Sequence, residues 1–403
     1  MVHTVVIGAG QAGAALVARL RSKGETGPIT LIGAEPVPPY QRPPLSKAYL
    51  MGEMAQERLF LRPASYYADH DITLCTGTTA DAIDAAARTV TLSDGTVMAY
   101  DRLALTTGSV PRRLPDAIGG GLPGVFTMRT LADADALRPY MVEGRHMLVV
   151  GGGYIGLEAA AVAAKSGMKV TLLEAAARIL GRVAAPETAD AFRALHRDHG
   201  VTIREAEGLT RLLGTAHVSG AVLSDGSEIA CDVVVAGVGI APSTELAEAA
   251  GLIVENGIRT DARGRTSDPA IWAAGDCASL PYRGARIRLE SVQNAIDQAE
   301  AVADDMLGNG TDYVPKPWFW SDQYDVKLQI AGLNTGYDRV VTRQGDGGAV
   351  SFWYFSGDTL LAVDAMNDPR AYMTGKRLIE AGRSPDPVKV ADPGVELKSL
   401  LAG

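Results

Sequence analysis

Two glycine-rich turns constrain this chain more than any other feature. The first reads VVIGAGQAG and carries Gly8, Gly10 and Gly13; the second reads VVGGGYIG and carries Gly151, Gly153 and Gly156. Each follows a short apolar run and opens an alanine-rich stretch. Each is followed by another apolar run ending near an acid, Glu35 after ITLIGA and Glu174 after VTLL. The first glycine permits a tight strand-to-helix turn, the second lets the backbone approach a pyrophosphate, and the third lets helix and strand pack closely. The pyrophosphate then meets free N–H groups at the positive end of the helix, and the acid accepts from a ribose hydroxyl. A glycine turn alone is a weak signal. The ordered series of strand, turn, helix, strand and acid, twice in one chain, predicts two dinucleotides held by one protein.

Composition narrows the setting. A chain of 403 residues, 47% of them hydrophobic, has material for two or three domains with substantial cores. Its net charge of −9 argues against general nucleic-acid binding. No run approaches the ~20 apolar residues of a membrane span, and the N-terminus enters a strand at once, without a signal-peptide layout. Cys75, Cys231 and Cys277 form no CxxC or CxxxxC pair. They read as small buried hydrophobes in a reduced, cytoplasmic setting, and they offer no redox dithiol. His196 and His199, in FRALHRDHG, have no third ligand at metal-site spacing. They read as a solvated helix end, and no metal is expected.

Residues from Val2 to about Ser109 read as one α/β unit, and Pro111 to Arg145 connect it to a second that ends near Ile240. SDPAIWAAGDCA reads as a strand and turn, and RLESVQNAIDQAEAVADDML as a long helix. From Trp318 the texture changes to short strands (WFWSDQ, VKLQIAGL, VVTRQ, AVSFWYF, TLLAVDAMN), followed by a helix over AYMTGKRLIEAG. The last part is expected to be a small α+β domain.

The motifs PYQRPPLSKAYL (39–50), LTTGSVPRRLP (105–115), GGGYIGLEAA (151–160), VAGVGIAP (235–242), IWAAGDCA (271–278), RLESVQNA (288–295) and PWFWSDQY (317–324) together name a family. Across essentially its whole length, the chain resembles the oxygenase-coupled NADH-dependent ferredoxin reductases of the FAD-dependent pyridine nucleotide-disulfide oxidoreductase superfamily. PPLSK and PWFWSDQY are far more specific than the glycine patterns. The resemblance implies an α/β fold like that of glutathione reductase. It has two Rossmann-like dinucleotide-binding domains, FAD-binding over 1–109 and 242–319 and NAD-binding over 110–241, with a small C-terminal α+β domain over 320–403. It implies FAD at Gly8, Gly10, Ala12, Gly13, Glu35, Arg42, Lys47, Ala80, Arg129, Asp276, Val292 and Trp320. NADH falls to Gly151, Gly153, Ile155, Gly156, Glu174 and Gly239. Two departures stand out. Many relatives place an acid at the position of Ala34, where this chain offers Glu35 one residue later, and the usual ATG motif begins here with Thr106.

The resemblance also implies that NADH reduces FAD and that electrons then pass singly to a [2Fe–2S] ferredoxin serving an oxygenase. Glu158 lies just past the last glycine of the second turn, where the first repeat has Ala15. A second anion beside an expected pyrophosphate is unwelcome, so a role paired with Lys47 at the flavin fits better, and these two residues are the catalytic candidates. Glu174 favours NADH over NADPH, with Arg178 and Arg182 downstream. Arg283, Arg286 and Arg288, with Lys376 and Arg377, are candidate basic ground for docking an acidic ferredoxin; an ordinary solvated surface is the competing reading. Rubredoxin reductase, NADH oxidase and an apoptosis-inducing-factor-like flavoprotein remain as alternatives.

Overall fold

A computed structural model describes residues 1–402, which form two compact units. The first comprises Met1–Gln41, Ala55–Val110 and Ile240–Pro317. At its centre is a parallel sheet in the order Ile271–Ala273, Arg102–Leu105, Thr4–Ile7, Ile29–Ile32, Ile72–Cys75. Thr4–Ile7 and Ile29–Ile32 are buried throughout, as parallel strands covered on both faces must be. Strand alternation distributes their side chains. Val6 and Leu31 pack with Leu16, Leu20, Ala299 and Val302 of the helices Gln11–Ser22 and Val292–Met306. Val5, Ile7 and Ile32 pack instead with Ile83, Val90 and Leu92 of an antiparallel ribbon, Ala80–Asp84, Thr89–Leu92 and Val97–Ala99. Each such fully buried aliphatic side chain contributes roughly 1.5–3 kcal/mol. Arg19 clamps the two helices through a bidentate pair with Asp304, at 2.9 and 2.7 Å.

The second unit comprises Arg42–Met54, Pro111–Gly239 and the chain from Trp318 onward. Its parallel sheet runs Thr202–Glu205, Lys169–Glu174, His146–Val150, Val233–Ala236, Val125–Phe126. The helix Tyr154–Lys165 is buried without interruption from Gly156 to Ala163, which its alanines make sterically possible. From Trp318 the chain forms an antiparallel sheet in the order Trp318–Gln323, Val326–Gly332, Thr359–Met366, Val350–Ser356, Arg339–Gln344. The helix Pro369–Glu380 closes over it, so that Ala371, Tyr372 and Leu378 share a core with Trp353, Phe355 and Val363. This helix begins earlier than its apolar pattern suggests. Asp368 accepts from the amide of Ala371 at 2.9 Å and Pro369 occupies the first turn.

In Trp318–Gln323 the period of two matters for function. Phe319 packs against Tyr154, with ring centroids 5.1 Å apart, while Ser321 and Gln323 on the same face bond Glu158 and His196. Trp318 and Trp320 face the other way, 5.5 Å apart.

The solvated helix end expected at His196 and His199 is half right. His199 is exposed and stacks on Tyr324, but His196 is fully buried in the helix Pro186–Asp198. Among the described residues no helix is long and apolar enough to cross a membrane.

Candidate functional site

Each glycine turn divides into positions that the fold demands and one that it does not. Gly8 has φ +113°, and a Cβ there would sit 2.2 Å from the carbonyl oxygen of Thr106. At Gly13 a Cβ would lie 2.1 Å from the carbonyl oxygen of Gly8, and at Gly156 2.0 Å from that of Gly151. A Cβ on Gly10 or Gly153 would meet nothing within 4 Å. Internal packing therefore does not account for glycine at these two positions, whereas close approach of a pyrophosphate does. Gly10 and Gly153 are also the N-caps of Gln11–Ser22 and Tyr154–Lys165. Neither helix has a side-chain cap or an acid in its first turn, so both ends are left to an outside anion. These cradles fit the two dinucleotides.

The acids that follow are held differently. Glu174, at the end of its strand, accepts from the amide of Gly152 at 2.8 Å and of Ala176 at 2.7 Å, so its carboxylate is fixed to the second glycine turn. Glu35 accepts from the Tyr40 hydroxyl at 2.5 Å. Thr106 turns its hydroxyl onto the carbonyl oxygens of Ile7 and Gly8, at 3.1 and 2.8 Å, which satisfies a buried polar group beneath the first turn.

The other candidate residues divide between the units. In the first, Ala12 packs beside Gly275, Ala80 begins its strand, and Val292 begins the helix capped by Ser291. Asp276 accepts from Ser109 at 2.8 Å. In the second, Arg42 donates to the carbonyl oxygen of Arg129 at 2.8 Å, Ile155 is exposed in the first turn of its helix, and Gly239 has φ +101°. Trp320 is half-buried.

The structure brings Lys47 and Glu158 together. Lys47 Nζ lies 2.6 Å from Glu158 Oε2, and Glu158 is only 3% exposed. Glu158 Oε2 also accepts from Ser46 at 2.9 Å, and Oε1 from Ser321 at 2.7 Å. The segment carrying Ser46 and Lys47 is anchored by its own neighbours. Tyr49 donates to Asp135 at 2.7 Å, while Arg138 donates to the carbonyl oxygen of Tyr49 at 2.7 Å and covers its ring. Ser46 and Ser321 were missed in the sequence because a serine in an apolar run carries no signal of its own.

Behind Ser321, Gln323 donates to its hydroxyl at 3.1 Å and meets His196 Nε2 at 2.7 Å. Burial pushes the His196 pKa down to about 4, so the ring is neutral near neutral pH.

The basic ground proposed for docking is largely committed elsewhere. Arg286 bonds the backbone oxygens of Thr260 and Ser279, and burial beside Arg259 lowers its pKa. Arg288 pairs with Glu290 and reaches the carbonyl oxygen of Asp276, and Lys376 pairs with Glu380 at 2.6 Å. Arg283 is exposed over the Tyr282 ring. Cys231 and Cys277 are buried and Cys75 half-buried, with no disulfide; burial raises the pKa of all three.

Comparison with known proteins decides the family. The pattern of the pyridine nucleotide-disulphide oxidoreductases matches residues 2–299, and a reductase C-terminal pattern matches 318–401. This chain belongs to the pyridine nucleotide-disulphide oxidoreductase family. Within that family it is 43% identical to rhodocoxin reductase of Rhodococcus erythropolis, covering 99% of this chain and 94% of that protein. It is 41% identical to putidaredoxin reductase of Pseudomonas putida, covering 99% and 97%. Among solved structures, the covalent putidaredoxin reductase–putidaredoxin complex matches with a TM-score of 0.96, covering 99% of this chain and 98% of that one.

Proposed function

We infer that this protein is an NADH-dependent ferredoxin reductase that carries FAD and delivers electrons to a [2Fe–2S] ferredoxin serving an oxygenase. One observation carries the reading: the chain matches reductases of small redox proteins from end to end, including one whose structure is a complex with its electron acceptor. The paired glycine cradles supply its physical basis.

Gly8, Gly10 and Gly13 with the helix Gln11–Ser22 would hold the FAD pyrophosphate, and Glu35 its ribose. Gly151, Gly153 and Gly156 with Tyr154–Lys165 would hold NADH. FAD, when bound, takes an electron pair from NADH and releases electrons one at a time. Glu174, fixed by two backbone amides, presents a carboxylate that accepts from a free 2′-hydroxyl and repels a 2′-phosphate. Lys47 places a positive charge where the reduced cofactor gains negative charge, and Glu158 holds the ammonium in place. Arg42, Ala80, Arg129, Asp276, Val292 and Trp320 complete the FAD contacts; Ile155 and Gly239 complete those of NADH. The three-domain division at 109, 241 and 319 belongs to the same reading. So does a cytoplasmic setting, which three unpaired cysteines suit.

Electrons have no dithiol to visit, so they leave directly for the partner. One relative, 39% identical over 91% of this chain, is a rubredoxin-NAD(+) reductase, which makes rubredoxin the second acceptor to test. The test is anaerobic reduction of each acceptor by NADH with purified FAD-loaded protein. Rapid reduction of a [2Fe–2S] ferredoxin supports the assignment. Reduction of rubredoxin alone, or of neither, overturns it.

A further inference from the structure

We propose that His196 and Gln323 are positioning residues for Glu158, the outer links of a one-way hydrogen-bond chain that ends on the Lys47–Glu158 pair. The proposal rests on the role given to Lys47 and Glu158 above, and it adds residues that neither the glycine motifs nor the expected cofactor contacts include.

The direction of the chain follows from what each atom can do. Gln323 Oε1 only accepts, so His196 Nε2, 2.7 Å away, carries the hydrogen. The buried ring is neutral, so Nδ1 accepts, and the Tyr324 hydroxyl at 3.2 Å is its donor. With its oxygen committed to His196, the Gln323 amide turns Nε2 toward Ser321 Oγ at 3.1 Å. Ser321 has received one hydrogen and directs its own to Glu158 Oε1 at 2.7 Å. Glu158 Oε2 takes Ser46 and Lys47. Every link from Tyr324 to Glu158 therefore runs in one direction, and both carboxylate oxygens of Glu158 are engaged.

Ser321, Gln323, His196 and Glu158 are each at most 3% exposed, so solvent offers no substitute partner. The arrangement depends on an N–H at position 323. An oxygen in its place would draw the Ser321 hydrogen away from Glu158, freeing the carboxylate to turn and the Lys47 ammonium to follow it. A network that served stability alone would register this reversal in folding stability and leave the rate and potential of the bound flavin unmoved.

Gln323→Glu makes that exchange with almost no change of shape. The expected result is single-turnover flavin reduction by NADH slowed about tenfold, the equivalent of one lost hydrogen bond, with the NADH dissociation constant unchanged. The midpoint potential of the bound flavin shifts in the same direction as in Lys47→Met. Gln323→Met buries no charge and removes the N–H that orients the Ser321 hydroxyl without drawing its hydrogen away; it is expected to move both readouts the same way but by less, should Gln323→Glu not fold. His196→Leu, which frees the Gln323 amide to flip, repeats the effect. His196→Gln, whose amide nitrogen takes the place of Nε2, restores rate and potential. In a Lys47→Met background the substitutions at 323 add nothing. Wild-type rate and potential in both 323 variants, alongside a clear Lys47→Met defect, overturn the positioning role and leave the Lys47 assignment standing. A full additive loss on top of Lys47→Met also overturns it, as general damage to the fold. A Lys47→Met protein with wild-type rate and potential removes the Lys47 assignment and this inference together.

Discussion

His196 and Asp364 are buried in the same unit and pull against each other as the pH changes. Burial pushes His196 down from 6.5 to about 4 and pushes Asp364 up from 3.8 to about 6; donors Tyr354 and Thr188 only partly offset the second shift. The contribution of His196 is present above pH 6.5 and lost as the pH falls through about 4. That of Asp364 is present below 3.8 and lost as the pH rises through about 6. Each spans roughly 3 kcal/mol over nearly the same window, so their two contributions nearly cancel there. Asp364→Asn is expected to lose stability on acidification from pH 6.5 to 4, and His196→Gln on raising the pH from 4 to 6, as read from urea midpoints. Flat profiles in both variants contradict this. Glu174 carries a second residue-scale prediction. Glu174→Gln removes the repulsion of a 2′-phosphate and is expected to reduce the NADH-over-NADPH preference in kcat/KM by about tenfold; an unchanged ratio assigns the preference elsewhere. At this scale Glu158 was legible, because the first repeat carries Ala15 in its place. Its partners Ser46 and Ser321 were not, since they reach it across more than a hundred residues of chain. His196 was misread because its helix has an amphipathic pattern in which a histidine fits either face.

The elements were legible wherever local chemistry and burial agreed. The central parallel strands Thr4–Ile7, Ile29–Ile32 and Val233–Ala236 read as apolar runs because both their faces are covered, and the glycine turns announced the helices that follow them. The helix Pro369–Glu380 was read late because its start lies in Asp368 and Pro369, a capping signal that precedes the apolar period. The two kinds of glycine separate by experiment. Gly13→Ala forces a Cβ against the carbonyl oxygen of Gly8 and is expected to yield poorly folded protein. Gly10→Ala has open space and is expected to fold with wild-type secondary structure yet lose FAD, as read from the visible flavin absorbance of the purified protein. Gly153→Ala is expected to keep FAD and raise KM for NADH by about tenfold or more. Full flavin occupancy in Gly10→Ala contradicts the reading of the first cradle.

At the scale of the whole molecule, the architecture was legible through its repeat and its change of texture at Trp318. The grouping of Arg42–Met54 with the second unit was not. PYQRPPLSKAYL is continuous in sequence, yet its second half is anchored through Tyr49 to Asp135 and Arg138 and through Ser46 and Lys47 to Glu158, pairings with no local signal. Charge counting likewise named arginines that the fold uses internally, since Arg286 and Arg288 spend their donors on backbone oxygens and Glu290. The central claim is that one chain grips FAD and NADH together and passes electrons onward to a [2Fe–2S] ferredoxin. Anaerobic stopped-flow spectroscopy of the FAD-loaded protein tests it most directly. Mixing with NADH should bleach the flavin absorbance within a turnover, and subsequent oxidised ferredoxin should restore it as the iron–sulfur spectrum changes to the reduced form. A flavin that NADH leaves oxidised, or one that stays reduced in the presence of ferredoxin, contradicts the account.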